Sequence, residues 1–233
     1  MAVKVPFTSV VLPAFARMPI VTEVSVEAGT KVGGRGDTCQ DRVALIEWRG
    51  AVVGAVIADG AGGTSGGAEA AQTVIDRVRQ AFEEGREFNQ RGLRQLLLEI
   101  SLELENRGQT TAVVVVIGGG GILGASVGDS GAWLVSERSW ADLTEGQPRK
   151  PLLGGGFAEP FIFSSPLIDA TLLLATDGVL KYADGEAVRA VLRNEALSVD
   201  QCCDALIDAA RLPNGRLQDD AAVAVWRIRS ARG

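Results

Sequence analysis

The run TTAVVVVIGGGGILGASVGDS at 110–130 constrains the fold more than any other part of the chain. It predicts two β-strands, and the four glycines at 118–121 between them are typical of a hairpin turn. Apolar residues recur at helical spacing in four other segments, which are 66–84, 89–108, 185–194 and 198–211. Because β-rich blocks alternate with helix pairs, we expect one α+β domain of antiparallel sheets with helices packed outside.

The charge balance and the lack of histidine exclude several classes of function. Of the 233 residues, 29 are acidic and 23 are basic, and a formal charge of -6 argues against broad binding to nucleic-acid phosphates. A chain with no histidine cannot use Ser-His-Asp or Cys-His catalysis, an imidazole zinc site or a histidine general acid.

Hydropathy and cysteine usage predict the compartment. No apolar stretch reaches the roughly 18 residues that a membrane span requires. The three cysteines, Cys39, Cys202 and Cys203, form no C-x-x-C motif, as is typical of a reduced protein. We therefore expect a cytoplasmic protein that binds neither a membrane nor nucleic acid.

Five aspartates share one context, the end of an apolar strand pattern. Asp59 ends VVGAVIAD, Asp129 ends ILGASVGD, Asp177 ends TLLLATD, Asp219 opens DDAAVAV and Asp41 precedes RVALI. Each has a structural alternative, because aspartate favours turns and caps helices, and Asp177 is placed to cap a helix that begins at Gly178.

A metal site accounts for all of these acids together. Carboxylates at neighbouring strand ends would repel one another unless a cation lay among them. Oxygen ligands without histidine or thiolate favour magnesium or manganese over zinc, so the pattern predicts a two-metal site. The rival interpretation, a phosphate-binding loop after Asp59, is weaker because ADGAGGTSGG matches neither G-x-G-x-x-G nor G-x-x-x-x-G-K-[ST].

Six motifs occur in an order that identifies a family resemblance. They are CQD, VIADGAGG, GQTTAVVVV, GASVGDSGAWLV, LLLATDG and DDAAVAV. Together they resemble the metal-dependent protein phosphatases of type 2C, and most of all the compact bacterial members. The resemblance runs from about Gly33 to Ile228. It implies a four-layer αββα sandwich, with two antiparallel sheets flanked by helix pairs, in which residues 1–233 form a single domain.

The resemblance also implies which residues bind metal. In that family the aspartate of the Asp-Gly-x-Gly-Gly motif bridges two metals, and here that residue is Asp59. The carbonyl of Gly60 would complete the shell of one metal. Asp177 and Asp219 would each supply a further ligand, and Asp129 would help to hold a weaker third ion.

Three other positions are implied to act on water, backbone or phosphate. Asp41 would hold metal-bound water, and Asp220 would orient waters or the local backbone. Many relatives carry a phosphate-gripping arginine five residues before the first aspartate, where this chain has Gly36. Arg35 lies one residue away, and it either takes over that contact or remains a solvated loop charge.

The activity implied by the resemblance is that of a protein serine/threonine phosphatase. Two Mn²⁺ or Mg²⁺ ions would share a water, and the resulting hydroxide would attack phosphorus in line. The substrate would be a phosphoprotein, such as a Ser/Thr kinase or its target.

Two departures from the family pattern bear on that activity. Ala61 stands where many relatives have histidine, which favours a slower enzyme or, as the alternative, a non-catalytic scaffold that binds a signalling partner. The stretch between GDSG and ATDG leaves room for only a small flap. Arg149 and Lys150 within it are either contacts for an acidic or phosphorylated partner or ordinary surface charges.

Overall fold

The computed structural model describes residues 3–5, 24–36, 38–48, 51–61, 66–118, 121–166 and 169–230. The strands are β1 Val3–Val5, β2 Val24–Gly33, β3 Arg42–Trp48, β4 Ala51–Ala58, β5 Ala112–Gly118, β6 Gly121–Val127, β7 Gly131–Val135, β8 Trp140–Asp142, β9 Phe161–Pro166, β10 Ala170–Ala175 and β11 Ala221–Ser230. The helices are α1 Gly67–Glu83, α2 Gln90–Glu103, α3 Asp177–Leu180, α4 Gly185–Arg193 and α5 Val199–Ala209.

Two antiparallel sheets form the centre of the molecule. The first has the strand order β1-β2-β11-β10-β7-β8, and the second has the order β3-β4-β5-β6-β9. The predicted hairpin is present in the second sheet, where Ala112 of β5 pairs with Val127 of β6 and Gly118 pairs with Gly121. Its turn, at 119–120, lies outside the described residues.

Three apolar layers separate four layers of secondary structure. Strand β5 shows why, because its apolar side chains alternate between two cores. Val114 and Val116 pack with helices α1 and α2, whereas Val113 and Val115 pack against the other sheet. A third core joins the first sheet to α4 and α5. The arrangement is the expected αββα sandwich of antiparallel sheets and outer helix pairs.

Local sequence explains where two of the helices begin. The side chain of Asn89 accepts a hydrogen bond from the Gly92 amide at the start of α2. Ser198 and Gln201 form a reciprocal capping box at the start of α5. Among the described residues, none of the helices has the length and apolar content needed to cross a lipid bilayer.

One local prediction was wrong, and another needs a small correction. Helix α2 ends at Glu103, five residues before Gly108, which was expected to close it. Gly108 instead has a φ of 155° and lies against Gly66, whose carbonyl oxygen is 2.4 Å from the position of an added Cβ. The segment 141–160 is loop as predicted, except that β8 ends at Asp142 within it and Leu153 forms an isolated β-bridge with Thr110.

Candidate metal centre

Three of the predicted acids converge at one end of the two sheets. Asp59 follows β4 and Asp129 follows the end of β6, both in the second sheet, whereas Asp177 follows β10 of the first sheet. Each offers a carboxylate oxygen that lies within 4.8 Å of those of the other two. We call these three residues the acid cluster. Its members are half-buried, so their charges are only partly screened by water.

Two threonines at the start of β5 hold Asp59 in place. The Thr111 amide and the Thr110 hydroxyl donate to the Asp59 carbonyl at 2.9 and 2.8 Å. The Asp59 amide donates to the Thr111 hydroxyl at 2.9 Å, and that hydroxyl lies 2.7 Å from the Ser130 hydroxyl. Because Ser130 follows Asp129, one hydrogen-bonded chain fixes the backbones of two cluster members.

Asp41 lies beside the cluster and is almost wholly buried. Thr176 donates its hydroxyl hydrogen to Asp41 Oδ2 at 2.7 Å and accepts from the Ala222 amide at 2.8 Å. The other oxygen, Asp41 Oδ1, is buried and has no hydrogen-bond partner among the described residues. A buried carboxylate oxygen without a partner is costly, and a bound cation, its water or a proton on the neighbouring Asp59 carboxyl would satisfy it.

Burial and mutual repulsion both raise the pKa values of three carboxyl groups in this site. Burial, followed by the charges of Asp41 and Asp177, raises the pKa of Asp59 to about 9. Burial also raises the pKa of Asp41 to about 7, although the hydrogen bond from Thr176 opposes this shift. The pKa of Asp177 rises through burial and through the charges of Asp129 and Asp219. Protons or cations must therefore offset the negative charge of this site.

Asp219 and Asp220, which directly precede β11, make different interactions. Asp219 is not part of the three-oxygen group, but its charge reaches Asp177. Asp220 binds backbone: its two oxygens accept from the amides of Arg35 and Gln40, each at 2.7 Å. Asp220 thereby orders the loop that carries both Arg35 and Asp41.

Arg35, the candidate phosphate ligand, is exposed on that loop. Its backbone is fixed by Asp220, so the loop is held close to the acids at the start of β11. The assignment of Arg35 to phosphate stays a prediction.

The structure shows why residue 60 is glycine, which the sequence alone did not reveal. A Cβ added to Gly60 would lie 2.4 Å from the Gly67 carbonyl oxygen, at the first turn of α1. The glycine is thus required for close packing against that helix, and its role as a metal ligand stays a prediction. The following residue, Ala61, donates its amide to the Gln109 carbonyl at 2.9 Å.

Sequence reasoning missed several polar residues that support the site. The hydroxyls of Thr176, Thr110 and Thr111 position Asp41 and Asp59, although the sequence pattern around these threonines does not mark them as supporting residues. Lys181 is another residue of this kind. It stands one helical turn after Asp177, whose pKa its charge lowers, and this i, i+4 spacing is the signal that would have found it.

The donor set fits hard divalent cations. All of the candidate side-chain ligands are carboxylates, as magnesium and manganese prefer, and the described residues around them include no histidine. The unpartnered Asp41 Oδ1 and the raised pKa values of Asp41 and Asp59 are consistent with a site that stabilises positive charge.

Comparison with protein families gives one match, to the family described as "Protein phosphatase 2C", over residues 28–150 of the 233. This span includes Asp41, Asp59, Asp129 and the segment that contains Arg149. Comparison with curated proteins gives no sequence match.

Solved structures of similar fold include several bacterial phosphatases. Serine/threonine phosphatase Stp1 from Staphylococcus aureus is 20% identical with a TM-score of 0.77, over 91% of this chain and 98% of that one. The catalytic domain of phosphatase PstP, in complex with two manganese ions, is 18% identical with a TM-score of 0.74, over 88% and 99%. Phosphatase MsPP from Mycobacterium smegmatis, in complex with cacodylate, is 18% identical with a TM-score of 0.71, over 87% and 97%. These likenesses establish the fold.

Proposed function

The chain belongs to the protein phosphatase 2C family of metal-dependent phosphoprotein phosphatases, and from this premise we propose that it hydrolyses phosphoserine and phosphothreonine with a hydroxide shared by two divalent cations. The cations would be Mn²⁺ or Mg²⁺, with a weaker third ion near Asp129. Asp59 would bridge the two principal ions, and Gly60, Asp177 and Asp219 would complete their shells. We propose that residues 1–233 form one catalytic domain.

The observation that carries the proposal is the convergence of Asp59, Asp129 and Asp177. Three half-buried carboxylates within 4.8 Å of one another, with the unpartnered Asp41 Oδ1 beside them, form an arrangement that a cation stabilises. A scaffold that only bound partners would have no physical need for it. The three free cysteines support a reducing, cytoplasmic location.

Bound metal would supply an activated water and would neutralise charge on the phosphoryl oxygens. The residues of this chain contribute the positions of the ligands. Thr110 and Thr111 fix the backbone of Asp59, and Thr176 orients Asp41 toward the cluster. Asp41 Oδ1, which has no donor among the described residues, would be able to accept a hydrogen bond from water at the site. Because Ala61 carries no acidic hydrogen, we expect leaving groups of low pKa to react fastest.

Hydrolysis of an aryl phosphate tests the proposal. We expect turnover that requires manganese or magnesium and stops with chelator. Asp59→Asn should lower kcat/KM by at least about 100-fold, because it removes a charge from the ions that the transition state depends on. Asp76→Asn is the matched control, since Asp76 is an exposed acid on α1 that hydrogen-bonds only to Gln72 among the described residues, and it should leave kcat/KM unchanged.

Two outcomes would contradict the proposal in different ways. Activity that is indifferent to chelator would refute the two-metal mechanism. Metal binding without turnover, on both the aryl phosphate and phosphopeptides, would instead favour the non-catalytic scaffold.

A further inference from the structure

The segment of residues 147–153, which we call the rim segment, is held against the acid cluster at both of its ends. At its start, the side chain of Gln147 donates to the Ser130 carbonyl at 2.6 Å and accepts from the Ser126 hydroxyl. At its end, Leu153 exchanges two backbone hydrogen bonds with Thr110, at 3.1 and 3.2 Å. The segment therefore has a fixed course between two anchored points.

Both anchors adjoin members of the acid cluster. Ser130 follows Asp129 directly, and the Thr110 hydroxyl donates to the Asp59 carbonyl. Between them, Leu152 is buried against Gly128, with its Cδ2 atom 3.0 Å from the position of an added Cβ on that glycine. Gly128 precedes Asp129, so the rim segment passes alongside the backbone of two cluster acids.

Arg149 and Lys150 lie between the anchors and are exposed. They are the only charged residues between Glu145 and Glu159, so this rim carries two positive charges in a chain whose formal charge is -6. The neighbouring side chains Gln147, Leu152 and Leu153 face the protein. The positively charged side chains of Arg149 and Lys150 are thus exposed to solvent beside a site that would bind a phosphorylated residue.

We propose that Arg149 and Lys150 select phosphoprotein segments in which acidic side chains flank the phosphorylated residue. The proposal rests on the proposed function, because it assumes that the phosphoryl group lies at the acid cluster. In a chain whose formal charge is -6, an acidic segment would be attracted at the rim segment, where two positive charges lie together. Such complementary charges at the edge of an interface act mainly on encounter and partner choice. Because the anchors hold the backbone in place, the conformational entropy lost on binding is mainly that of the two side chains.

Three phosphothreonine peptides that differ only in their flanking residues test this selection. The flanks are acidic, neutral and basic, and kcat/KM is measured for each in manganese. We expect the wild type to prefer the acidic peptide, with a preference that weakens as salt is added. Arg149→Ala with Lys150→Ala should raise KM for the acidic peptide by about tenfold and leave kcat and aryl phosphate hydrolysis unchanged.

Two further variants make the experiment specific. Arg149→Glu with Lys150→Glu should reverse the order, so that the basic peptide becomes the better substrate. Arg91→Ala with Arg138→Ala removes the same charge elsewhere and should leave the preference intact. Arg91 is in the first turn of α2, roughly 15 Å along that helix from Ser101 near the rim, and Arg138 is in the turn after β7.

Binding of fluorescent peptides, measured in parallel, separates this proposal from the proposed function. Absence of turnover on every substrate would refute the proposed function, while acidic-peptide binding that the double alanine variant loses would still support selection by the rim. The selection proposal is overturned if the wild type binds the three peptides equally. It is also overturned if the control variant loses the preference as fully as the rim variant.

Discussion

At the scale of single residues, the site depends on hydroxyl groups that fix the carboxylates. Thr176 is the clearest case, because its buried hydroxyl donates to Asp41 and accepts from the Ala222 amide. A buried hydrogen bond to a charged group contributes roughly 1.5–3 kcal/mol. Loss of this hydroxyl would leave both oxygens of Asp41 without a donor from the described residues, since Asp41 Oδ1 already lacks one.

We therefore expect Thr176→Val to weaken manganese binding by about tenfold, because an unoriented Asp41 with a higher pKa holds its proton against the metal. Titration calorimetry and the manganese dependence of aryl phosphate turnover measure this effect. Thr171→Val is the matched control: Thr171 is a buried threonine of β10, five residues earlier, and among the described residues no side-chain hydrogen bond joins it to a carboxylate. Equal loss of affinity in both variants would contradict the positioning role of Thr176.

At the scale of elements, the site needs close contact between the segment that follows β10 and the start of β11. Gly178, in the first turn of α3, makes this contact possible: a Cβ added there would lie 1.8 Å from the Asp220 carbonyl oxygen. Backbone cannot move aside as a flexible side chain can. Any larger residue must push α3, and with it Asp177, away from the start of β11.

Gly178→Ala should accordingly lower the free energy of unfolding by roughly 2 kcal/mol, as overpacking in a tight site does. It should also weaken metal binding, since Asp177 moves with the helix. Gly36→Ala is the control, because an added Cβ at Gly36 has no heavy atom within 4 Å. Thermal unfolding of the two variants measures the difference, and equal midpoints would refute the steric argument.

The same elements show how far the sequence could predict the molecule. The continuous apolar run of β5 and the helical spacing of α1 were sufficient to predict an α+β domain, because a strand buried on both faces and a helix buried on one face leave different apolar patterns. The four-layer sandwich followed from the family resemblance. The end of α2 was predicted wrongly, because the position of Gly108 is decided by its contact with Gly66, which is distant in sequence. The strand-end acids were predictable from local pattern. The bond between Thr176 and Asp41 was not, because it joins residues 135 apart along the chain.

At the scale of the whole molecule, the sandwich brings carboxylates from both sheets into one anionic site. The core between the sheets fixes β4 and β10 in place, so Asp59 and Asp177 cannot separate to relieve their repulsion. Folding therefore has an electrostatic cost in the absence of cations. The raised pKa values of Asp41 and Asp59 determine how that cost depends on pH.

We expect the metal-free protein to lose stability as pH rises. An unfolded aspartate loses its proton near pH 4, whereas folded Asp41 and Asp59 keep theirs until about 7 and 9. Across that window the folded state binds more protons than the unfolded state, so the free energy of unfolding must decrease with increasing pH. Between about pH 6 and pH 9 we expect a loss on the order of 5 kcal/mol, or roughly 15 °C in the unfolding midpoint.

Two further stability measurements test whether that loss comes from the acid cluster. Saturating manganese should raise the midpoint most at the higher pH, because the cation replaces the protons that the folded site retains. Asp59→Asn should flatten the pH dependence of the metal-free protein, because it removes a carboxyl group whose pKa is raised to about 9. Asp76→Asn, on the exposed face of α1, should not. A metal-free midpoint that stays constant or rises between about pH 6 and pH 9 would contradict the proposed origin of the raised pKa values, the burial of like charges with no cation among them.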